Sequence, residues 1–84
     1  GLGQDASHLA TNKTQLVINP TMIPLRKGAI LPSALSDGED YELLFTSAMK
    51  PSEDLATPIG FVQRRNANEP KVITTSGEEI SNLG

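Results

Sequence analysis

The chain has 84 residues, which is enough for one small domain and too few for two. Its 7 Lys and Arg against 10 Asp and Glu give a net charge of −3, which argues against a sequence-independent nucleic-acid binder and against binding to anionic membranes. The lack of cysteine excludes a disulfide framework and thiolate metal sites. Because no apolar run approaches the roughly 20 residues that cross a bilayer, we expect a soluble protein. The absence of cysteine is compatible with a reducing compartment, so we expect it in the cytoplasm.

The first elements predicted along the chain are a helix and a buried strand. Apolar residues at helical spacing predict a helix that ends near Asn12: Leu2, Ala6, Leu9 and Ala10. Residues 15–18 form an apolar, β-branched run that stops at Asn19-Pro20, which is typical of a strand buried on both faces. An irregular segment rich in proline and glycine then extends to Ser36.

The second half of the chain predicts three more strands and one short helix. Residues 41–47 give the strongest strand signal, because the apolar centre has no polar alternation. Residues 51–56 predict a helix with proline in its first turn. Residues 59–63 and 72–75 predict strands on either side of a turn-rich loop, and Ser76-Gly77 favours a further hairpin.

This order of elements predicts an α+β domain, an α/β sandwich in which a mixed β-sheet carries helices on one face. A pure helical bundle is excluded. Only three aromatic residues, Tyr41, Phe45 and Phe61, are present to fill the core, so we expect modest stability.

A cluster of acids precedes the strongest predicted strand. Four of the ten carboxylates fall within residues 37–42, where their mutual repulsion has to be relieved by solvent, by cations or by a metal. An acidic loop that caps a strand is one interpretation. A site for Mg²⁺ or a cationic ligand is the other, because Mg²⁺ commonly uses one or two carboxylates plus substrate phosphates. Gly38 would allow a close backbone approach there.

Other polar residues give weaker signals. His8 is the only histidine and lies three residues after Asp5, but no catalytic triad or zinc pair is spaced around it, so a packing or capping role is favoured. The basic doublets Arg26-Lys27 and Arg64-Arg65 suit either a phosphate contact or exposed loop charges. The G-x-G at the start of the chain is too short to count as a phosphate loop.

Four segments of the chain resemble one family. Residues 36–46, SDGEDYELLFT, closely resemble the S-G-G-E-D-Y-E-L-x-F-T motif of thiamine-monophosphate kinase, in the superfamily of aminoimidazole ribonucleotide synthetase and selenophosphate synthetase. Residues 1–10, GLGQDASHLA, are similar to that family's S-D-G-L-x-x-D-L-x-H-I-A, entered after its Ser-Asp. Residues 15–25 and 58–62 resemble a strand followed by L-P-L or I-P-L and the later I-G-x-V strand. The four segments follow the family's order and cover nearly the whole chain. The chain therefore resembles the C-terminal domain of that kinase.

The resemblance implies a two-domain kinase that converts thiamine monophosphate to thiamine diphosphate. ATP and Mg²⁺ would be held largely by an N-terminal domain of the same parent chain, while this domain would close the cleft and help to hold thiamine monophosphate. Gly38, Glu39 and Asp40 become the candidates for substrate binding, and Asp5 becomes the candidate metal ligand. Residues 41–45 would form the core strand that holds the acidic loop rigid.

The chain also departs from the family pattern. Asp37 stands where the family has the first glycine of G-G, residues 25–34 are shorter than the family's segment, and both ends fall inside family motifs. We therefore expect a truncated domain that is inactive and monomeric by itself and binds no cofactor alone, from a parent that dimerises through its N-terminal domain. Two alternatives stay open, a stand-alone module that binds a phosphorylated or cationic small molecule, and a purely structural fragment.

Overall fold

The computed structural model describes residues 1–24 and 43–83. The described elements are α1 (Leu2–Ser7), β1 (Thr14–Ile18), a short 3₁₀ helix (Pro20–Met22), β2 (Gly60–Arg64) and β3 (Val72–Thr74). The three strands form one sheet in the order β2-β1-β3, with β1 antiparallel to β2 and parallel to β3. The sheet is therefore mixed, as the sequence predicted, and the architecture is compatible with an α+β class.

Strand β1 is the centre of the sheet, and it ends where the sequence predicted. Residues 15–18 are all buried, which confirms the prediction of a strand covered on both faces. The strand stops because the side-chain oxygen of Asn19 accepts the N–H of Thr21 at 3.1 Å and caps the 3₁₀ helix, with Pro20 in its first turn.

The hydrophobic core lies between the sheet and α1. Leu16, Ile18 and Val72 project from the same face of β1 and β3, and they pack against Leu2 and Ala6 of α1. The core is completed by Ile80 and by partly buried neighbours that pack around it: Leu9, Ala10, Ile23, Leu44, Ile59 and Leu83. The one α-helix of the described residues thus covers one face of the sheet.

Helix α1 is shorter than the sequence predicted, since it ends at Ser7 with His8 as its C-cap and does not continue to Asn12. Threonine hydroxyls compensate for the lost helical hydrogen bonds. The hydroxyl oxygen of Thr14 accepts the N–H of Thr11 at 2.8 Å, and that of Thr11 accepts the N–H of Lys13 at 3.1 Å. Such side-chain hydrogen bonds offer the backbone an alternative to the helix.

The predicted strand at residues 41–47 is wrong over the part that the structure describes. Residues 43–47 form no strand, and Leu43 is 85% exposed. An uninterrupted apolar run predicts a central strand, with another strand on each side of it. In the described sheet the central strand is β1, and its two neighbours are β2 and β3. Residues 41 and 42 lie outside the described part.

The predicted helix at residues 51–56 is reduced to a single turn. The N–H groups of Leu55 and Ala56 both donate to the carbonyl of Ser52, at 3.0 and 3.2 Å. One turn fixes several backbone dihedrals for very few hydrogen bonds, so it does not propagate into a helix without packing.

The later strands and the hairpin are confirmed. β2 and β3 lie within one residue of their predicted bounds, although they are separated in the sheet by β1. The turn after β3 is closed by the N–H of Gly77, which donates to the carbonyl of Thr74 at 2.9 Å. Gly77 has a φ of 90°, a conformation that glycine adopts at little cost. An antiparallel bridge between Ile73 and Glu79 follows.

Within residues 1–24 and 43–83, no helix has the length and apolar character that a bilayer crossing requires.

Candidate functional site

Helix α1 carries the only predicted site residue that the structure describes. Its inner face buries Leu2, Gly3 and Ala6, whereas Gln4 and Asp5 are exposed. This division follows from the helical period, which places the apolar positions of the sequence on one side. Asp5, the predicted metal ligand, is therefore open to solvent on the outer face of α1.

The backbone of Asp5 is fixed by helical hydrogen bonds. Its N–H donates to the carbonyl of Gly1 at 3.1 Å, and its carbonyl accepts the N–H of His8 at 3.2 Å. His8 is exposed and caps the helix, in line with the capping role that the sequence favoured. Over residues 1–24 and 43–83, no three His, Cys, Asp or Glu side chains gather in a group that could hold a metal ion. The metal role of Asp5 stays a prediction.

The predicted substrate-binding residues Gly38, Glu39 and Asp40 lie outside the described residues, as do Asp37 and residues 25–34. The structure neither brings them towards Asp5 nor separates them from it. Their role stays a prediction from the sequence.

The first turn of α1 is held by residues near the end of the chain. The N–H of Gln4 donates to the carbonyl of Leu83 at 2.7 Å. A Cβ on Gly3 would overlap the carbonyl oxygen of Ile80 and lie 3.2 Å from that of Leu83. The sequence alone did not predict this structural role for the G-x-G. A glycine inside a helix lowers stability by up to about 1 kcal/mol relative to alanine. A glycine at a predicted helical position therefore indicates that another part of the backbone packs closely against it.

Arg65 contributes to the architecture of the domain. Its guanidinium donates from Nε to the carbonyl of Thr14 at 3.0 Å, from Nη1 to that of Glu69 at 3.0 Å, and from Nη2 to that of Thr11 at 2.7 Å. Of the two interpretations of the Arg64-Arg65 doublet, exposed loop charges do not describe Arg65, which is half-buried and donates to three backbone carbonyls. Arg64, at the end of β2, is exposed.

A buried polar side chain lies in the middle of the sheet. Gln15 is 1% exposed, its Nε2 donates to the carbonyl of Pro70 at 2.8 Å, and its Oε1 accepts the Nε2 of Gln63 at 2.7 Å. Because both ends of the side chain have partners, the sheet structure explains its burial without a ligand. The sequence did not identify this residue, which stands at the start of an apolar run.

The described residues thus place the exposed carboxylate of Asp5 on a helix whose first turn is hydrogen-bonded to Leu83. In the neighbouring sheet, the buried side chain of Gln15 has hydrogen-bond partners at both ends. Comparison of the chain with models of protein families, with curated proteins and with solved structures gives no match.

Proposed function

We propose that this chain is the C-terminal, substrate-side domain of an ATP- and Mg²⁺-dependent kinase that converts thiamine monophosphate to thiamine diphosphate. The observation that carries the proposal is the motif-like stretch at residues 36–46, SDGEDYELLFT. Three further segments follow the same family's order along the chain, at residues 1–10, 15–25 and 58–62. An acidic loop alone would not carry this proposal.

One feature of the described residues supports it. In the segment that resembles the I-G-x-V strand, a Cβ on Gly60 would overlap the carbonyl oxygen of Val17 on the neighbouring strand. The glycine of that segment is therefore required by the packing of this chain. A structural need for glycine at the matched position is what a shared local structure would produce.

The proposed roles of the residues follow from the chemistry of phosphoryl transfer, which depends on positioning and on neutralisation of phosphate charge. Glu39 and Asp40 would make polar contacts with the substrate, directly or through water or Mg²⁺, and Gly38 would let the backbone approach it. Asp5 would offer one further carboxylate, since Mg²⁺ in such sites often takes one or two from the protein. ATP would be bound by the N-terminal domain of the parent chain.

A titration of the chain with thiamine monophosphate, followed by NMR, tests the substrate-side assignment. We expect shifts concentrated at the amides of residues 38–40. The variant E39Q/D40N should bind about tenfold more weakly or worse, which corresponds to the loss of one charge-assisted contact. The matched control is E53Q/D54N, which also removes one glutamate and one aspartate charge, but from an exposed turn. In that turn the Oε1 of Glu53 lies 4.0 Å from the Nζ of Lys50. Equal weakening in both variants, or shifts spread evenly over the chain, would contradict the assignment.

The same titration with thiamine and with inorganic phosphate distinguishes the kinase domain from a general binding module. The proposal expects thiamine monophosphate to bind more tightly than either part. Binding of phosphate or of thiamine with equal affinity would instead favour a module that recognises only one charge.

An activity assay tests the division of labour between domains. Incubation of the chain with thiamine monophosphate, ATP and Mg²⁺ should give no thiamine diphosphate. Detection of the product would show that ATP binds to this chain, against the assignment of ATP to another domain.

A further inference from the structure

Four of the seven Lys and Arg residues lie at one end of the β-sheet. Arg64 is the last residue of β2, and Arg65 follows it. Lys13 directly precedes β1, and its carbonyl accepts the N–H of Arg65 at 2.9 Å. Lys71 directly precedes β3, and its carbonyl accepts the N–H of Leu16 at 2.9 Å. Because β1 runs antiparallel to β2 and parallel to β3, these four residues, the basic end, meet where β1 begins.

The basic end is compact and is carried by hydrogen-bonded backbone. Arg64 lies opposite Thr14, and the parallel register places Lys71 level with Gln15. Neighbouring strands are about 4.8 Å apart, so the backbones of Arg64 and Lys71 are roughly 10 Å apart, with Lys13 between them. All three of these cationic residues are exposed. One small, extended anion can therefore reach them together.

Arg65 adds a fourth positive charge at this end. Its guanidinium donates to three backbone carbonyls, which are neutral groups, so these hydrogen bonds fix the position of the charge without cancelling it. Residues 11–18 and 60–74, which include the three strands, hold four positive residues and one carboxylate, a net charge of +3 in a chain whose total is −3. A surface cluster of one sign raises the local concentration of ions of the opposite sign.

The one carboxylate of these two segments is engaged by neighbouring backbone. The Oε1 of Glu69 accepts the N–H of Asn66 at 3.0 Å. The next carboxylates along the chain, Glu78 and Glu79, follow β3 and so belong to the opposite end of the sheet. The charges of the sheet are thus separated along its strands, and the basic end attracts anions.

We propose that the basic end binds a polyphosphate anion, the diphosphate or triphosphate group of a small molecule. Such an anion carries its charges in a row, which suits cations spread over three strands, whereas a single phosphate reaches fewer of them. Arg64 offers a planar fork for two phosphate oxygens, and Lys13 and Lys71 act as point charges. Asn12 and Asn66, exposed and adjacent to the basic end in sequence, add neutral donors.

Two other anionic partners suit the basic end less well. An acidic protein surface needs roughly 1,000 Å² for a stable interface, which is more than the ends of three strands provide. A nucleic-acid duplex needs an extended basic face, against which the net charge of −3 argues. The polyphosphate site uses none of residues 38–40, so it does not rest on the proposed function.

Titration of the chain with inorganic triphosphate in metal-free buffer, followed by NMR, tests the site. We expect shifts concentrated at the amides of the basic end. Orthophosphate should bind about tenfold more weakly because it makes fewer charged contacts, and added salt should weaken both. A hexaglutamate peptide should also bind more weakly than triphosphate. Equal affinity for orthophosphate and triphosphate, tighter binding of hexaglutamate, or shifts spread evenly over the chain would overturn the proposal.

Single neutral substitutions test the individual residues. K13Q, R64Q and K71Q should each weaken the binding of triphosphate by about threefold, as the loss of one exposed charge pair does. K50Q is the matched control, because it changes the net charge equally at an exposed residue outside the sheet, where the Nζ of Lys50 lies 4.0 Å from the Oε1 of Glu53. Amide spectra of the free variants check that each one folds. Equal weakening in K50Q would show that only the net charge matters and would overturn the site.

A substitution of Glu69 gives a result that damage to the fold would not produce. E69Q removes the negative charge nearest to the basic end in sequence but keeps a side-chain oxygen that can accept the N–H of Asn66. We expect triphosphate to bind about threefold more tightly to E69Q. E53Q, in an exposed turn, is the control and should leave the affinity unchanged. Weaker binding by E69Q, or an equal gain in both variants, would contradict the proposal.

Discussion

The Nε2 of Gln63 on β2 donates a 2.7 Å hydrogen bond to the Oε1 of Gln15 on β1. The two residues lie directly opposite each other in the antiparallel register, so their side chains share one face of the sheet. Gln15 is buried and Gln63 is exposed, which means that the solvent-side residue satisfies the interior one. This pair links the stability of β1 to a side chain on the edge strand.

Replacement of Gln63 should therefore be costly although the residue is exposed. Q63L leaves the buried oxygen of Gln15 without its donor, and we expect the free energy of unfolding to fall by about 1–2 kcal/mol. Urea denaturation measures this loss, and Q4A on the exposed face of α1 is the control. The double variant Q15L/Q63L should lose less unfolding free energy than the sum of the losses in Q15L and Q63L, because the donor and the acceptor of the hydrogen bond are removed together. Fully additive losses would argue against the pairing.

Gly3 should not tolerate a side chain. Alanine at an ordinary helical position stabilises by up to about 1 kcal/mol relative to glycine, but at Gly3 its methyl group would meet the carbonyl of Ile80. We expect G3A to lower the free energy of unfolding by about 1–3 kcal/mol, as overpacking commonly does. Thermal unfolding of G3A beside Q4A, one residue further along the same helix, measures the difference. A G3A chain as stable as the parent would contradict the close contact.

The two arginines of the doublet should respond differently to the same conservative change. R65K replaces a guanidinium that donates to three carbonyls by an ammonium that cannot reach all three, and we expect a loss of about 1–3 kcal/mol. R64K changes an exposed residue and should lie within about 0.5 kcal/mol of the parent. Chemical denaturation of both variants compares them. Equal effects would mean that the three hydrogen bonds contribute little.

Residues near the end of the chain should contribute as much to the free energy of unfolding as those of the central strand. Ile80 is 1% exposed and belongs to the core cluster with Leu16 and Val72. I80A should lower the free energy of unfolding by about 2–5 kcal/mol and I80V by about 0.5–1.5 kcal/mol. L55A, at an exposed position, is the control and should change little. A mild I80A variant would show that this segment contributes less packing than its burial indicates.

The parts of the fold that could be predicted are those set by local chemistry. The end of β1 follows from Asn19-Pro20, and the hairpin follows from a glycine with positive φ at position 77. The failures have a common physical cause, which is that a local pattern does not say which neighbours are available. Residues 43–47 are apolar enough for a central strand, but that position is taken by β1.

The candidate site shows the same limit. The exposure of Asp5 follows from the helical period and could be predicted. The different environments of Arg64 and Arg65 could not be predicted. Two of the carbonyls that accept from Arg65 belong to Thr14 and Thr11, which lie 51 and 54 positions away in sequence. The prediction for Gly38, Glu39 and Asp40 rests on a sequence motif, and the titration with E39Q/D40N is the experiment that bears on it.

The position of β1 in the sheet also has a consequence for how the chain folds. β1 belongs to the first quarter of the sequence, but both strands that flank it come from the last third. Pairing over such long separations requires the closure of large loops before any contact is gained, which slows folding relative to proteins built from local contacts. During synthesis on the ribosome, Leu16, Val17 and Ile18 emerge long before their partners do. For that interval they form an uncovered apolar segment that molecular chaperones can bind.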